Sequence, residues 1–261
     1  ATLPRGGTRL LPRHRIVALF GAPQDRALGA LGHGTPAQDA GRLAGIAAGY
    51  RGGGRPVLPA LWLIASISSR EPQDDGSYRT VQPPATIRRY LAEARRRRML
   101  LVLDLQPGRA DILGEVRRLA PFLRQPDVGL ALDPEWALAP GATPADGPGR
   151  IQASTVNAVS AELARLVRRH RLPQKLLAVH RFAPELVPGA GDLATRPEVA
   201  LVLDSNAIGP VEEKTGAYAR LGSRRGGVFG GIKLFFEEDP ALMTPAQVLA
   251  LRPRPDVVIY E

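Results

Sequence analysis

Short apolar runs, several of them β-branched, recur along the chain at 15–20, 61–67, 100–105, 128–132, 176–182, 199–204, 228–236 and 257–260. Between them the apolar positions take helical spacing over 36–49, 84–97, 111–123, 154–170, 211–221 and 245–251. Only the connection at 183–197 carries little helical pattern. Pro36, Pro84 and Pro245 stand near helix starts, where a missing N–H costs little. Strands that alternate with helices pair in parallel, and eight of them predict closure into one (β/α)8 barrel of the TIM type. The barrel is expected over 15–261, with 1–14 as an N-terminal leader. The eighth helix is expected to be missing or replaced by that leader. A doubly wound sheet would place a Gly-rich phosphate turn after the first strand, and Gly21-Ala22-Pro23-Gln24-Asp25 has no G-x-G-x-x-G. No nucleotide cofactor, and no cofactor of any other kind, is expected.

Loop length gives the barrel a direction. The long connections, at 21–35, 68–83, 137–153 and 183–197, leave strand C-termini. The short returns are arginine-rich: Arg95-Arg96-Arg97-Arg98, 124–127, 168–175, Ser223-Arg224-Arg225 and Arg252-Pro253-Arg254. Sites in such barrels sit at the strand C-termini, so much of the positive charge is expected on the opposite face. This tempers the formal charge of +10, which would otherwise suggest a nucleic-acid partner. Only Lys175, Lys214 and Lys233 are lysines, and an Arg-, Ala-, Gly- and Pro-rich composition is also what a high-GC genome produces. A nucleic-acid substrate is therefore not expected. The absence of cysteine excludes disulfides, thiolate metal sites and a cysteine nucleophile. No apolar run is long enough for a membrane span, and the first residues lack the apolar core of a signal peptide.

Polar residues recur at the strand ends with one parity. Side chains two apart on a strand share a face. Val102, Asp104 and Gln106 oppose Leu101, Leu103 and Leu105. Ala131, Asp133 and Glu135 oppose Leu130 and Leu132, while Asp204 and Asn206 oppose Leu201 and Leu203. With the leucines packed on helices, the acids point into the barrel or its mouth. Such a cluster of like charges is costly and persists where chemistry needs it. Ser66, Ser68, His180, Arg181, Lys233, Glu237 and Glu261 add further polar strand ends. Lys233 lies in an apolar strand, so a salt bridge to an inward carboxylate is expected before a Schiff-base role. His180 is suited to binding substrate, orienting a carboxylate or filling a polar core position. There is no H-x-H or H-E-x-x-H, so no histidine-rich metal centre is expected, a carboxylate-only Mg²⁺ or Ca²⁺ site stays open, and no G-x-S-x-G points to a serine nucleophile.

Paired carboxyls suit glycoside cleavage, where one protonates the leaving oxygen and another handles the developing cation. Glu135 is the expected general acid, with Asp133 raising its pKa. Asp104, Asp204 and Glu237 are candidates for base, nucleophile or sugar binding. Asn206, His180, Gln106, Lys233 and Glu261 complete the expected substrate contacts, and Trp136 suits either stacking on a sugar face or a structural place on the barrel rim. The segment Leu132-Asp133-Pro134-Glu135-Trp136 resembles the fourth-strand D-x-E of glycosidase barrels, including the chitinase-like and lysozyme-like families. The longer D-x-x-D-x-D-x-E of the chitinase-like family is absent, which argues against N-acetyl-assisted catalysis. Together with Val179-His180-Arg181-Phe182 and Gly231-Ile232-Lys233-Leu234-Phe235-Phe236-Glu237, it is similar to an uncharacterised actinobacterial family of secreted proteins or lipoproteins. That resemblance implies an extracellular or envelope location. The expected function is carboxylate-catalysed hydrolysis of a glycan, with cell-envelope polysaccharide among the candidates. Two alternatives stand beside it: a catalytically silent glycan- or wall-binding barrel, and an aldolase-like lyase using Lys233.

Overall fold

The computed structural model describes residues 1–222 and 226–261, so the turn Ser223-Arg224-Arg225 lies outside the described residues. Its strands are β1 (Arg15–Gly21), β2 (Val57–Ser68), β3 (Arg79–Val81), β4 (Leu100–Leu105), β5 (Val128–Leu132), β6 (Lys175–Arg181), β7 (Val199–Ser205), β8 (Phe229–Leu234) and β9 (Val257–Tyr260). All but β3 are parallel and pair in the order β1-β2-β4-β5-β6-β7-β8-β9, closing through β1 and β9. The chain is thus an eight-stranded α/β barrel of the TIM type. Strand β3 is an antiparallel appendage on the end of β2, which no pattern in the sequence announced. Strand β2 also begins at Val57, earlier than expected, because the run continues through Pro59.

The helices are α1 (Pro36–Ala48), α2 (Pro84–Arg96), α3 (Ile112–Arg118), α4 (Ala120–Leu123), α5 (Ala153–His170), α6 (Val211–Ala217) and α7 (Pro245–Ala250). Thr35 and Thr244 cap α1 and α7 in reciprocal boxes with Gln38 and Gln247, satisfying first-turn amides that lack helical partners. The single helix expected over 111–123 is two pieces, since Pro121 has no N–H to continue the ladder. After α6 the chain widens into a π-helical turn, Tyr218–Gly222. A Cβ on Gly222 would stand 2.2 Å from the Gly231 carbonyl oxygen, so only glycine lets this turn approach β8. Between β6 and β7 there are only 3-10 turns, at Pro184–Leu186 and Ala190–Asp192.

Strand parity creates two cores. Leu101, Leu103, Leu130, Leu132, Leu177 and Leu201 join the shell between barrel and helices. Ile16, Ala60, Trp62, Val102, Ala178 and Val202 belong to the cluster inside the barrel. Each fully buried Leu or Val contributes roughly 1.5–3 kcal/mol relative to exposure, so this partition fixes which face of every strand turns inward. The interior cluster also takes Leu3, Leu10 and Leu11. Residues 1–14 therefore plug the barrel from below instead of covering its outside as a helix would. The Gln174 side chain fixes the plug by accepting from the Leu10 and Leu11 amides, both at 3.0 Å.

Candidate active site

The inward positions end, at the strand C-termini, in a cavity of about 730 Å³. Asp133 and Glu135 follow β5, Lys233 lies on β8, and Glu261 follows β9; all four line it. Trp136, Phe20, Phe182 and Phe235 supply aromatic wall, and Gln106 and Asn206 supply amide groups. Strands β5 and β9 are four apart either way round the barrel. Glu135 and Glu261 thus rise from opposite sides of the mouth.

Beneath this cavity lies a fully buried polar network. His180 Nδ1 is 2.9 Å from Asp204 Oδ2, and its Nε2 is 2.7 Å from Asp104 Oδ2. Trp62 Nε1 donates to the same Asp104 oxygen at 2.6 Å. The rings of Trp62 and Phe20 flank the imidazole, with centroids 5.6 and 6.0 Å away. Burial alone would lower the His180 pKa, but the two aspartates prevail and hold it well above the ordinary histidine value. The pair is held in register by β6 and β7, where His180 and Asp204 are direct neighbours. Across β7 the adjacent position is Gly231; a Cβ there would stand 2.7 Å from the Asp204 Cβ.

A second buried cation sits one layer higher. Lys233 forms an ion pair with Glu261 and lies 3.6 Å from the centroid of the Phe20 ring. Burial pulls its pKa down, yet the charges of Glu261 and Asp133 outweigh that and hold it above the usual lysine value. Asp133 is pushed well above the usual carboxylate range, first by burial and then by repulsion from Glu135. Its Oδ1 is buried without a hydrogen-bond partner, which suits a carboxyl that keeps its proton. Glu135 is half-buried and also raised, by burial and by the charge of Glu261, against the opposing pull of Lys233 and His180. The arrangement provides a carboxyl of raised pKa on one wall of an aromatic cavity and an ion-paired carboxylate on the other.

Several sequence expectations need correction. Asp104 and Asp204 were expected to touch substrate or act in catalysis, but both are 0% exposed and bonded to His180. His180 binds no substrate from there and instead takes the buried, carboxylate-bonded place that was its alternative reading, so all three lie under the floor. Glu237 is exposed and lines a separate side cavity with Arg26, His33 and Arg42, because the chain has left the strand before reaching it. Ser66 faces outward, since a bulge between Ile64 and Ser66 reverses the parity of β2, and its hydroxyl donates to Glu115. Gln106 does line the cavity, and its Oε1 also accepts from the Ser68 amide at 3.0 Å. Arg181 points aside to the Leu221 carbonyl at 2.6 Å.

Other contributors carried no signal in the sequence. Trp62 is an apolar position on β2 until its indole meets Asp104. Lys214 and Asp239 form a buried pair at 2.8 Å, and Asp239 accepts from the amides of Phe235 and Gly209. That pair ties the loops after β7 and β8 together and fixes Phe235 in the cavity wall. Among the described residues, no group of three or more His, Asp or Glu side chains is arranged to hold a metal ion. No helix of the described chain is long and apolar enough to cross a membrane. No protein-family model and no curated protein matches the chain.

Proposed function

We propose that the protein is a carbohydrate-active barrel hydrolase in which Glu135 is the general acid. The observation that carries this reading is the raised pKa of Glu135 on the wall of an aromatic-lined cavity at the strand C-termini. A glycan bound there places its ring against Trp136, since sugar C–H faces pack on aromatic rings. Glu135 then gives its proton to the glycosidic oxygen as the bond to the anomeric carbon breaks. Glu261, from the opposite wall, is the second carboxylate and faces the positive charge that develops on the sugar. It takes the place that Asp104 cannot fill from beneath the floor. Water adds to the anomeric carbon, and the proton it releases restores the Glu135 carboxyl. Burial and the charge of Glu261 keep the Glu135 pKa raised, and Asp133 lies beside it in the same wall. Asn206, Gln106 and Lys233 supply hydrogen bonds to hydroxyl groups. The substrate class suits an enzyme of the cell envelope or its surroundings.

Lys233 is a poor Schiff-base nucleophile. Such a lysine needs a lowered pKa, and ion pairing with Glu261 does the reverse. The same ion pair favours a second reading, a barrel that binds glycan without cleaving it, because it occupies one oxygen of the second carboxylate. Reducing-end release and binding, measured on a panel of oligosaccharides that includes cell-wall glycans, separate the two. The hydrolase reading requires that Glu135→Gln lower turnover about 10² to 10⁴-fold while binding and melting temperature stay near wild type. Near-wild-type turnover by that variant removes Glu135 as the acid. A wild type that binds glycans and cleaves none of them establishes the silent binder.

A further inference from the structure

The barrel is polarised in charge along its axis. Arg9, Arg13, Arg51, Arg124 and Arg169 belong to the segments that enter or precede the N-terminal ends of strands, and all are exposed. Among the described residues, none of these five side chains has an acidic partner. The acids of the same turns are already neutralised: Asp127 by Arg95 at 2.6 Å, Asp256 by Arg55 at 2.6 Å, and Glu198 by Arg168 at 2.8 Å. None of those three acids is exposed. At the opposite end the loops around the mouth carry exposed Asp25, Glu71, Asp74, Glu185, Glu237 and Glu238, which outnumber the exposed Arg26, Arg70 and Arg150 there. A compositional preference for arginine would enrich every surface alike. It does not account for a basic base beneath an acidic mouth.

We propose that this base is a docking face for lipid bilayers that carry anionic headgroups. The free arginines come from the segments that enter β1, β2, β5 and β6, on two sides of the barrel, so they form a broad face and not a track. The large exposed apolar side chains, Val81, Phe182, Ile208 and Leu242, all lie in segments beyond strand C-termini, at the mouth end. Among the described residues, the base therefore lacks the exposed aromatic platforms on which single-stranded nucleic acid stacks. A diffuse cationic face without apolar anchors is what adsorbs to a charged bilayer by electrostatics alone. The acidic mouth is repelled by the same surface, so adsorption fixes an orientation. The cavity then opens away from the membrane.

Vesicle sedimentation with the full chain tests this, using neutral phosphatidylcholine vesicles and vesicles that also contain phosphatidylglycerol. The expected result is binding to the anionic vesicles alone, lost as salt rises and the Debye length falls below about 5 Å. The combined Arg51→Glu, Arg124→Glu and Arg169→Glu variant should lose on the order of 100-fold in partitioning, at about fivefold for each basic residue near the surface. Combined Arg26→Glu, Arg89→Glu and Arg150→Glu, reversing charges away from the base, should change partitioning less than threefold. Equal melting temperatures establish that the variants are folded. Should the first combination not fold, Arg51→Glu alone carries the test with a fivefold loss. Absent or salt-insensitive binding, equal binding to neutral vesicles, or an equal loss in the two combinations overturns the proposal. So does tighter binding to a DNA duplex that the base variant abolishes, which would make the base a nucleic-acid face.

Discussion

His180 Nε2 lies 2.7 Å from Asp104 Oδ2, so one buried imidazole on β6 is bonded to a carboxylate on β4, two strands away. With Asp204 on its other nitrogen, the ring links three strands through the barrel interior. This pairing turns two of the acids that looked catalytic into the support beneath the site.

Removing one member of a buried ionic network leaves the others uncompensated. We expect His180→Leu to cost about 3–5 kcal/mol of unfolding free energy at pH 6, measured by urea denaturation. Adding Asp104→Asn to that variant should return part of the loss, because it removes a stranded charge. Since the folded pKa of His180 is raised, its stabilisation is full below the unfolded value near 6.5 and fades as pH rises through the folded value. Wild-type stability should therefore decline on that alkaline side, and the variant should lack this component. A cost below about 1 kcal/mol with an unchanged pH slope would refute the buried imidazolium.

The two neighbours of Glu135 act on it in opposite directions. Lys233 lowers its pKa and Glu261 raises it. If Glu135 must be protonated to work, its pKa sets the alkaline limb of the rate profile. Lys233→Met should move that limb to higher pH and Glu261→Gln to lower pH. Profiles of kcat/KM against pH on a cleaved glycan provide the measurement. Shifts in the same direction would remove Glu135 from the acid's role.

At the other end of the barrel, Lys175 is buried and its ammonium donates to the carbonyls of Gln125 and Val128, the latter at 2.8 Å. Burial pushes its pKa down to about 7, against the weaker pull of Asp127. The folded state therefore holds fewer protons than the unfolded chain between pH 7 and the unfolded value near 10.4. Wild-type stability relative to Lys175→Met should rise across that window, by up to about 4 kcal/mol. Chemical denaturation of both proteins at pH 7 and pH 10 reads the change. A constant difference would mean that Lys175 stays charged throughout.

Much of the architecture was legible because burial imposes a period on the chain. The alternation of Leu101, Leu103 and Leu105 with Val102 and Asp104 requires one face on helices and one inside, and any register slip would exchange them. The same rule placed Asp104, Gln106, Asp133, Glu135, Asp204 and Asn206 toward the barrel axis. It failed at Ser66, where a bulge inserts a residue without a sequence mark, and at Glu237, which lies beyond the strand. Proline punctuation was only partly legible: Pro121 divides a helix, whereas Pro59 sits inside β2.

By itself, then, the sequence determined which side chains face inward and at which end of the barrel they gather, because parity and loop length are local properties. It could not determine depth. Whether an inward carboxyl meets the cavity or lies under its floor depends on the stagger of strands far apart in the chain. That stagger sets Asp104 and Asp204 against His180, and Glu261 against Lys233, at distances where Coulomb energy and desolvation decide protonation. The arginine-rich turns opposite the mouth were already legible in the loop lengths; only the closed barrel shows which of their charges are paired, as Asp127 is with Arg95.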